Sequence, residues 1–133
     1  MTLLKILIVD DDTDILTIIK ASFESEEGFD VKCVTSGKEA IQEAQKFHPD
    51  IILLDFLMPL MDGEATFKEL QRIPALARVP VVFLTASTNI EKHKKCLSLG
   101  AAEIILKPFD PWTLPSKIRS ILTRYRETRN PNF

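Results

Sequence analysis

Long apolar runs are missing from this chain: none approaches the roughly 18 consecutive residues that span a bilayer, so no membrane partner is expected. Met1 to Lys5 lacks the charged leader and small-residue cleavage site of a secretory signal, and a cytoplasmic location is the expectation. Cysteine is scarce. The two present, Cys33 and Cys96, lie far apart without metal-ligand spacing, which argues against a disulfide framework or a thiolate metal centre and leaves them as reduced packing residues. Charge of one sign is also lacking. With 17 basic against 19 acidic residues the formal net charge is -2, which gives no electrostatic case for direct nucleic-acid or anionic-membrane binding and points to a protein partner.

What is there suits one compact domain. The 133 residues are 45% hydrophobic and 27% charged, near the average of soluble globular chains, which excludes wholesale disorder and fibrous repeats. Five short apolar runs recur, Leu4 to Val9, Asp30 to Val34, Ile51 to Leu54, Val81 to Leu84 and Ile104 to Leu106, each too short for a helix. Most are continuous rather than alternating, as expected of strands covered on both faces. Between them the spacing is helical. Ile15, Ile18, Ile19, Ser22 and Phe23 share one face, Ala40, Ile41, Ala44 and Phe47 another, with Asp12 or Thr13 capping the first helix and Ser36 the second. Gly28, Pro49, Gly63, Pro80 and Gly100 punctuate the boundaries.

Five βα units favour a doubly wound α/β fold: a five-stranded parallel sheet of flavodoxin-like order 2-1-3-4-5, helices on both faces, spanning residues 1–126. Residues 127–133 read as a polar tail or truncated linker. In such sheets ligands bind beyond the carboxyl ends of the strands. There the sequence sets Asp10 and Asp11 after the first strand, Asp55 after the third, Thr85 after the fourth and Lys107 after the fifth. Two carboxylates about 5 Å apart repel by roughly 3 kcal/mol at an effective dielectric near 20, so three acids in one place ask for a cation. Hard oxygen donors point to a magnesium-like ion, Mg2+ or Mn2+. Singly each residue has a plainer reading: an acidic run after a strand is a solvated turn or cap, Thr85 a strand-end hydroxyl, Lys107 a surface charge. Together they form a constellation.

Ile6-Leu7-Ile8-Val9-Asp10-Asp11-Asp12, Asp55-Phe56-Leu57-Met58-Pro59-Leu60-Met61-Asp62-Gly63, Leu84-Thr85-Ala86 and Lys107-Pro108-Phe109 resemble the receiver motifs of two-component response regulators, CheY-like domains, over nearly the whole chain. The resemblance implies a phosphoacceptor at Asp55 and a cation held by Asp10, Asp11, Asp55 and the Leu57 backbone carbonyl. It also implies a switch at Thr85, charge neutralisation by Lys107, and a Lys107-Pro108 bond that is commonly cis. A sensor histidine kinase or histidine phosphotransfer protein would supply the phosphoryl group, and an unknown protein target would read it, with dimerisation on phosphorylation left open. Such a domain is no general enzyme; it assists only its own phosphorylation and dephosphorylation. A docking surface would lie on the last two helices and strand, where Lys92, Lys94, Lys95, Trp112 and Lys117 fall.

One position departs from the family pattern. Ile104 stands where a tyrosine or phenylalanine usually swings inward with the threonine, so the usual aromatic signal is in doubt. Leu57 and Ser87 occupy positions expected to influence attacking water, and an apolar Leu57 cannot orient it. Met58, Met61 and Gly63 read as structural. A small haloacid-dehalogenase-like phosphatase competes, because Asp10 and Asp12 with a later threonine and lysine echo its site, but no acidic pair follows Lys107. A receiver-like binding module that no longer uses phosphate is the third reading.

Overall fold

The computed structural model describes residues 2–129, in which five strands alternate with five helices. The strands are β1 (Leu4–Val9), β2 (Phe29–Val34), β3 (Ile51–Asp55), β4 (Val81–Thr85) and β5 (Glu103–Leu106). The helices are α1 (Thr13–Glu24), α2 (Gly37–Phe47), α3 (Gly63–Arg72), α4 (Ile90–Ser98) and α5 (Leu114–Arg129). All strand pairs are parallel, in the order β2-β1-β3-β4-β5. The expected fold class is the observed one, with strand bounds displaced by at most one residue.

Strand side chains alternate between the two faces of a sheet, and each face here has its own apolar layer. Leu7, Val9, Ile52, Leu54 and Phe83 pack with Ala40 and Ala44 of α2, Phe67 and Leu70 of α3, and Cys96 of α4. Ile6, Ile8, Ile51, Leu53, Val82 and Leu84 pack with Leu16, Ile19 and Phe23 of α1 and with Ile118, Ile121 and Leu122 of α5. Burial on both sides is why β3 and β4 read as uninterrupted apolar runs; every residue of both is buried. Truncating one of these side chains to alanine costs about 2–5 kcal/mol, which makes the sheet a rigid platform for whatever its ends carry.

Side-chain caps set where the helices begin. Asp12 rather than Thr13 caps α1, accepting from the amides of Asp14 and Ile15 at 2.9 and 3.3 Å, and Ser36 caps α2 through the amide of Glu39. Asp62 and Asn89 do the same for α3 and α4. Ile18 departs from the expected buried face of α1 and is 51% exposed. The buried stripe runs Leu16, Ile19, Phe23, which turns Ile18 about 200° away from Leu16 at roughly 100° per residue. Met58 is buried and Met61 lies against Gly37, in line with packing roles. Helix α5 continues to Arg129, so 127–129, assigned above to a polar tail, are helical; the remainder of that segment lies outside the described residues.

Candidate functional site

Parallel strands in this order bring the carboxyl ends of β1, β3, β4 and β5 to one edge. Asp10 follows β1, Asp55 ends β3, Thr85 ends β4 and Lys107 follows β5. Asp10, Asp55 and Thr85 are buried and Lys107 is half-buried, whereas Asp11 is exposed at the rim. Carboxylate oxygens of Asp10, Asp11 and Asp55 all lie within 4.8 Å of one another. The Lys107 ammonium reaches into this group, 3.0 Å from Asp10 Oδ2 and 3.3 Å from Asp55 Oδ1. Thus the acids and the lysine singled out by position converge, and Thr85 ends the neighbouring strand at the same sheet edge.

The electrostatics follow from crowding like charges in a sheltered place. Burial and the neighbouring Asp10 carboxylate push the Asp55 carboxyl up to about 6, although Lys107 pulls it down. Burial works against the Lys107 ammonium, but its hydrogen bond to Asp10 and the charges of Asp55 and Asp10 prevail, so its pKa is raised. One lysine therefore leaves the three carboxylates short of positive charge. A donor set of hard oxygens with one exposed member suits a divalent cation that keeps part of its water. The Leu57 backbone carbonyl accepts no hydrogen bond among the described residues and is free to join that set.

The loops around Asp55 have their own logic. The Asp12 amide donates to Asp10 Oδ1 at 2.9 Å and orients that carboxylate, while the Asp12 side chain turns away to cap α1. That geometry removes the second carboxylate a dehalogenase-like site would need beside Asp10. Gly63 donates its amide to Phe56 O at 2.8 Å, and a Cβ on it would stand 2.5 Å from the Asp55 carbonyl oxygen. The glycine serves close backbone approach rather than a special dihedral. Thr85 Oγ1 accepts the Ser87 amide at 3.0 Å, and the Lys107-Pro108 peptide bond is cis. Ile104 is half-buried on β5, in register with Phe83, away from the acidic cluster.

Residues 6–119 match the family model of the response regulator receiver domain. The chain belongs to that family. It is 39% identical over 122 residues to the response regulator SaeR of Staphylococcus aureus, covering 92% of this chain and 52% of SaeR. It is 35% identical over 128 residues to the probable transcriptional regulator ycf27 of Porphyridium aerugineum, covering 96% of this chain and 52% of that protein. The chain thus spans about half the length of these relatives. Among solved structures it resembles the chemotaxis response regulator CheY4 of Vibrio cholerae, with a TM-score of 0.83 and 31% identity over 90% of this chain and 99% of CheY4. This is a receiver domain of two-component response regulators, a signalling module rather than a classical enzyme, and the phosphoacceptor role fits its family.

Two features of this receiver lay outside the sequence reading. A groove of about 390 Å³ beside Lys107 is walled by Ile15, Ile18, Ala86, Pro108 and Phe109. Exposed apolar residues at a helix face and a Pro-Phe step carry no sequence signal that they meet. The second feature is a contact between α4 and the loop after β4: His93 Nε2 lies 2.8 Å from the Ser87 carbonyl oxygen.

Proposed function

We propose that this receiver takes a phosphoryl group onto Asp55 from a sensor histidine kinase or a histidine phosphotransfer protein, and that the acyl phosphate switches its contacts with a downstream protein. The observation that carries this reading is the convergence of Lys107 with Asp10 and Asp55 at 3.0 and 3.3 Å, inside a cluster of three carboxylates. Attack of an Asp55 carboxylate oxygen on phosphorus forms the new O–P bond as the P–N bond to the donor's imidazole breaks. Such transfer needs mostly positioning and neutralisation of charge on the moving oxygens. Lys107 supplies part of that charge and remains paired with Asp10.

Mg2+ or Mn2+ would be held by Asp10, Asp11, Asp55 and the Leu57 carbonyl, and when bound would add positive charge at the phosphoryl oxygens. The Thr85 hydroxyl accepts the Ser87 amide here, and by turning away from it toward the acidic cluster it would donate its proton to a phosphoryl oxygen. The apolar groove beside Lys107 supports a protein phosphodonor, since it offers such a donor a surface to bury next to the acidic cluster. No helix among the described residues is long and apolar enough to cross a membrane; membership of the receiver family supports a cytoplasmic site of action. The near-balanced charge of -2 supports a protein target rather than direct nucleic-acid contact by this domain.

Intact-mass spectrometry after incubation with acetyl phosphate, with and without magnesium, tests the reading. A single magnesium-dependent phosphate adduct on the native chain, absent in Asp55→Asn, is expected. No adduct on folded native protein would leave a receiver fold used only for binding.

A further inference from the structure

The geometry points to His93 as the residue that couples the acceptor site to helix α4 in this chain; the inference rests on the phosphorylation reading above. Ser87 is the hub. Its amide donates to Thr85 Oγ1 at 3.0 Å, its hydroxyl oxygen accepts the Asn89 amide at 3.2 Å, and its carbonyl meets His93 Nε2 at 2.8 Å. A carbonyl only accepts, so Nε2 carries a proton in this contact. Asn89 is the N-cap of α4, and its side chain accepts the Lys92 amide at 3.2 Å. One residue therefore ties a threonine at the edge of the acidic cluster to the cap of α4 and to its first turn.

The tie matters because little else holds α4. Cys96 is its one buried side chain, while Ile90 and Leu97 are 63% and 46% exposed. Beyond Cys96 in the core, its side-chain hydrogen bonds and ion pairs to other elements reach α3. Lys95 pairs with Glu64 at 3.4 Å, and Gln71 Nε2 donates to the carbonyl of Leu99, the residue that ends α4, at 2.9 Å. Those contacts lie on the second half of the helix; at its start, among the described residues, the bond from His93 joins the Asn89 cap in tying α4 to the loop before it. A helix with so few buried contacts belongs to the part of a fold that opens first.

Movement at Thr85 reaches that bond directly. When Thr85 Oγ1 turns to a phosphoryl oxygen, the Ser87 amide loses its acceptor. The peptide planes on either side of Ser87 are then free to rotate, and the carbonyl that His93 holds leaves its place. The first half of α4 is released while Lys95 and Gln71 keep the second half against α3. Ile104 has neither the ring nor the hydroxyl to carry such a signal through β5. His93 supplies a route through α4 instead, and it acts as a positioning residue without touching the phosphoryl group.

Amide hydrogen exchange across Ile90 to Ser98 tests this on the full chain, with and without acetyl phosphate and magnesium, in native protein, His93→Ala and His93→Gln. Intact mass of the same samples reports the adduct. In native protein the exchange of the first half of α4 is expected to rise about tenfold on phosphorylation, the effect of losing roughly one net hydrogen bond. His93→Ala is expected to take the phosphate and to show the fast exchange already without it. His93→Gln, whose amide nitrogen can donate to the same carbonyl, is expected to restore slow exchange and its phosphate response. An adduct with the same α4 response in native protein and His93→Ala overturns the inference and leaves the acceptor reading intact; no adduct on native protein overturns both.

Discussion

Lys107 lies closer to Asp10 than to Asp55: its Nζ is 3.0 Å from Asp10 Oδ2 and 3.3 Å from Asp55 Oδ1. The ammonium first satisfies the more buried acid, whose side chain is 1% exposed, and shares what remains with Asp55. Lys107→Met keeps the stem and removes the charge, leaving two sheltered carboxylates without their shared partner. Removing one member of a buried ion pair costs about 3–5 kcal/mol, and the partial exposure of Lys107 reduces that here to roughly 2 kcal/mol. Urea unfolding in the absence of divalent ions should show this loss. Magnesium should recover most of it, because a second source of positive charge relieves the same repulsion; a loss unaffected by magnesium would place the lysine's contribution in packing.

The raised pKa of Asp55 has a sign that can be followed through pH. A carboxyl that titrates at about 6 when folded and near 3.8 when unfolded binds more protons in the fold between those values. Stability then falls as pH rises from about 4 to about 6, and above that window the ionised group is a constant penalty. Asp55→Asn, which resembles the neutral acid, should raise the Tm of metal-free protein at pH 7.5 by several degrees. The gain should fade as pH falls from about 6 toward 4, because the folded carboxyl becomes protonated over that window and the penalty of its charge is lost. A gain independent of pH would show that charge at Asp55 is not its source. Since magnesium competes with the proton for this cluster, its stabilising effect should weaken as pH drops through 6.

Much of this site was legible because its residues sit at strand ends, and the strands announce themselves. Runs such as Ile51 to Leu54 are buried on both faces and so are apolar throughout, which leaves Asp55 conspicuous as the first acid after them. Ile18 and His93 were not legible for a common reason. The exposure of Ile18 depends on how α1 rotates against the sheet, and the His93 contact depends on the path of the loop from Ser87 to Asn89. Neither quantity is encoded in spacing. That α5 reaches Arg129 was not legible because its last described turns are largely polar and exposed, so no apolar period carries the helix that far.

Gly63 binds the loop after Asp55 to the start of α3 through close backbone approach rather than through an unusual dihedral. A Cβ there would meet the Asp55 carbonyl oxygen at 2.5 Å and Phe56 Cα at 2.7 Å, both of them backbone atoms that cannot swing aside. Gly63→Ala should therefore destabilise the fold by roughly 1–3 kcal/mol, the usual range for forced overpacking. Because the displaced atoms belong to Asp55 and its neighbour, acetyl-phosphate labelling should also slow beyond what the stability loss explains. Gly28→Ala is a fair contrast: its Cβ would meet the flexible end of Arg119, at a φ of +101° that strains any other residue, far from the acceptor. That variant should lose stability with labelling of the folded fraction unchanged, as judged by intact mass at matched folded concentration.

Leu57 stands two residues beyond the acceptor and is 59% exposed, an apolar side chain where a polar one would be able to hold a water molecule. Hydrolysis of an aspartyl phosphate needs a water placed in line with the O–P bond, and Leu57 offers no donor or acceptor to place it. Ser87, the other side chain expected to influence that water, has its hydroxyl oxygen engaged by the Asn89 amide. Loss of phosphate should therefore proceed without help from Leu57. Leu57→Ala should leave the decay of the adduct equal or faster, by exposing the acceptor to more solvent. Leu57→Gln should accelerate it, within the roughly 10²–10⁴-fold that positioned proton-transfer groups achieve and toward the low end, since an amide orients water without taking its proton. Decay followed by intact mass after removing acetyl phosphate checks both variants. A slower decay in Leu57→Ala would mean that this leucine promotes hydrolysis by excluding bulk water and ordering the single molecule left beside the phosphorus.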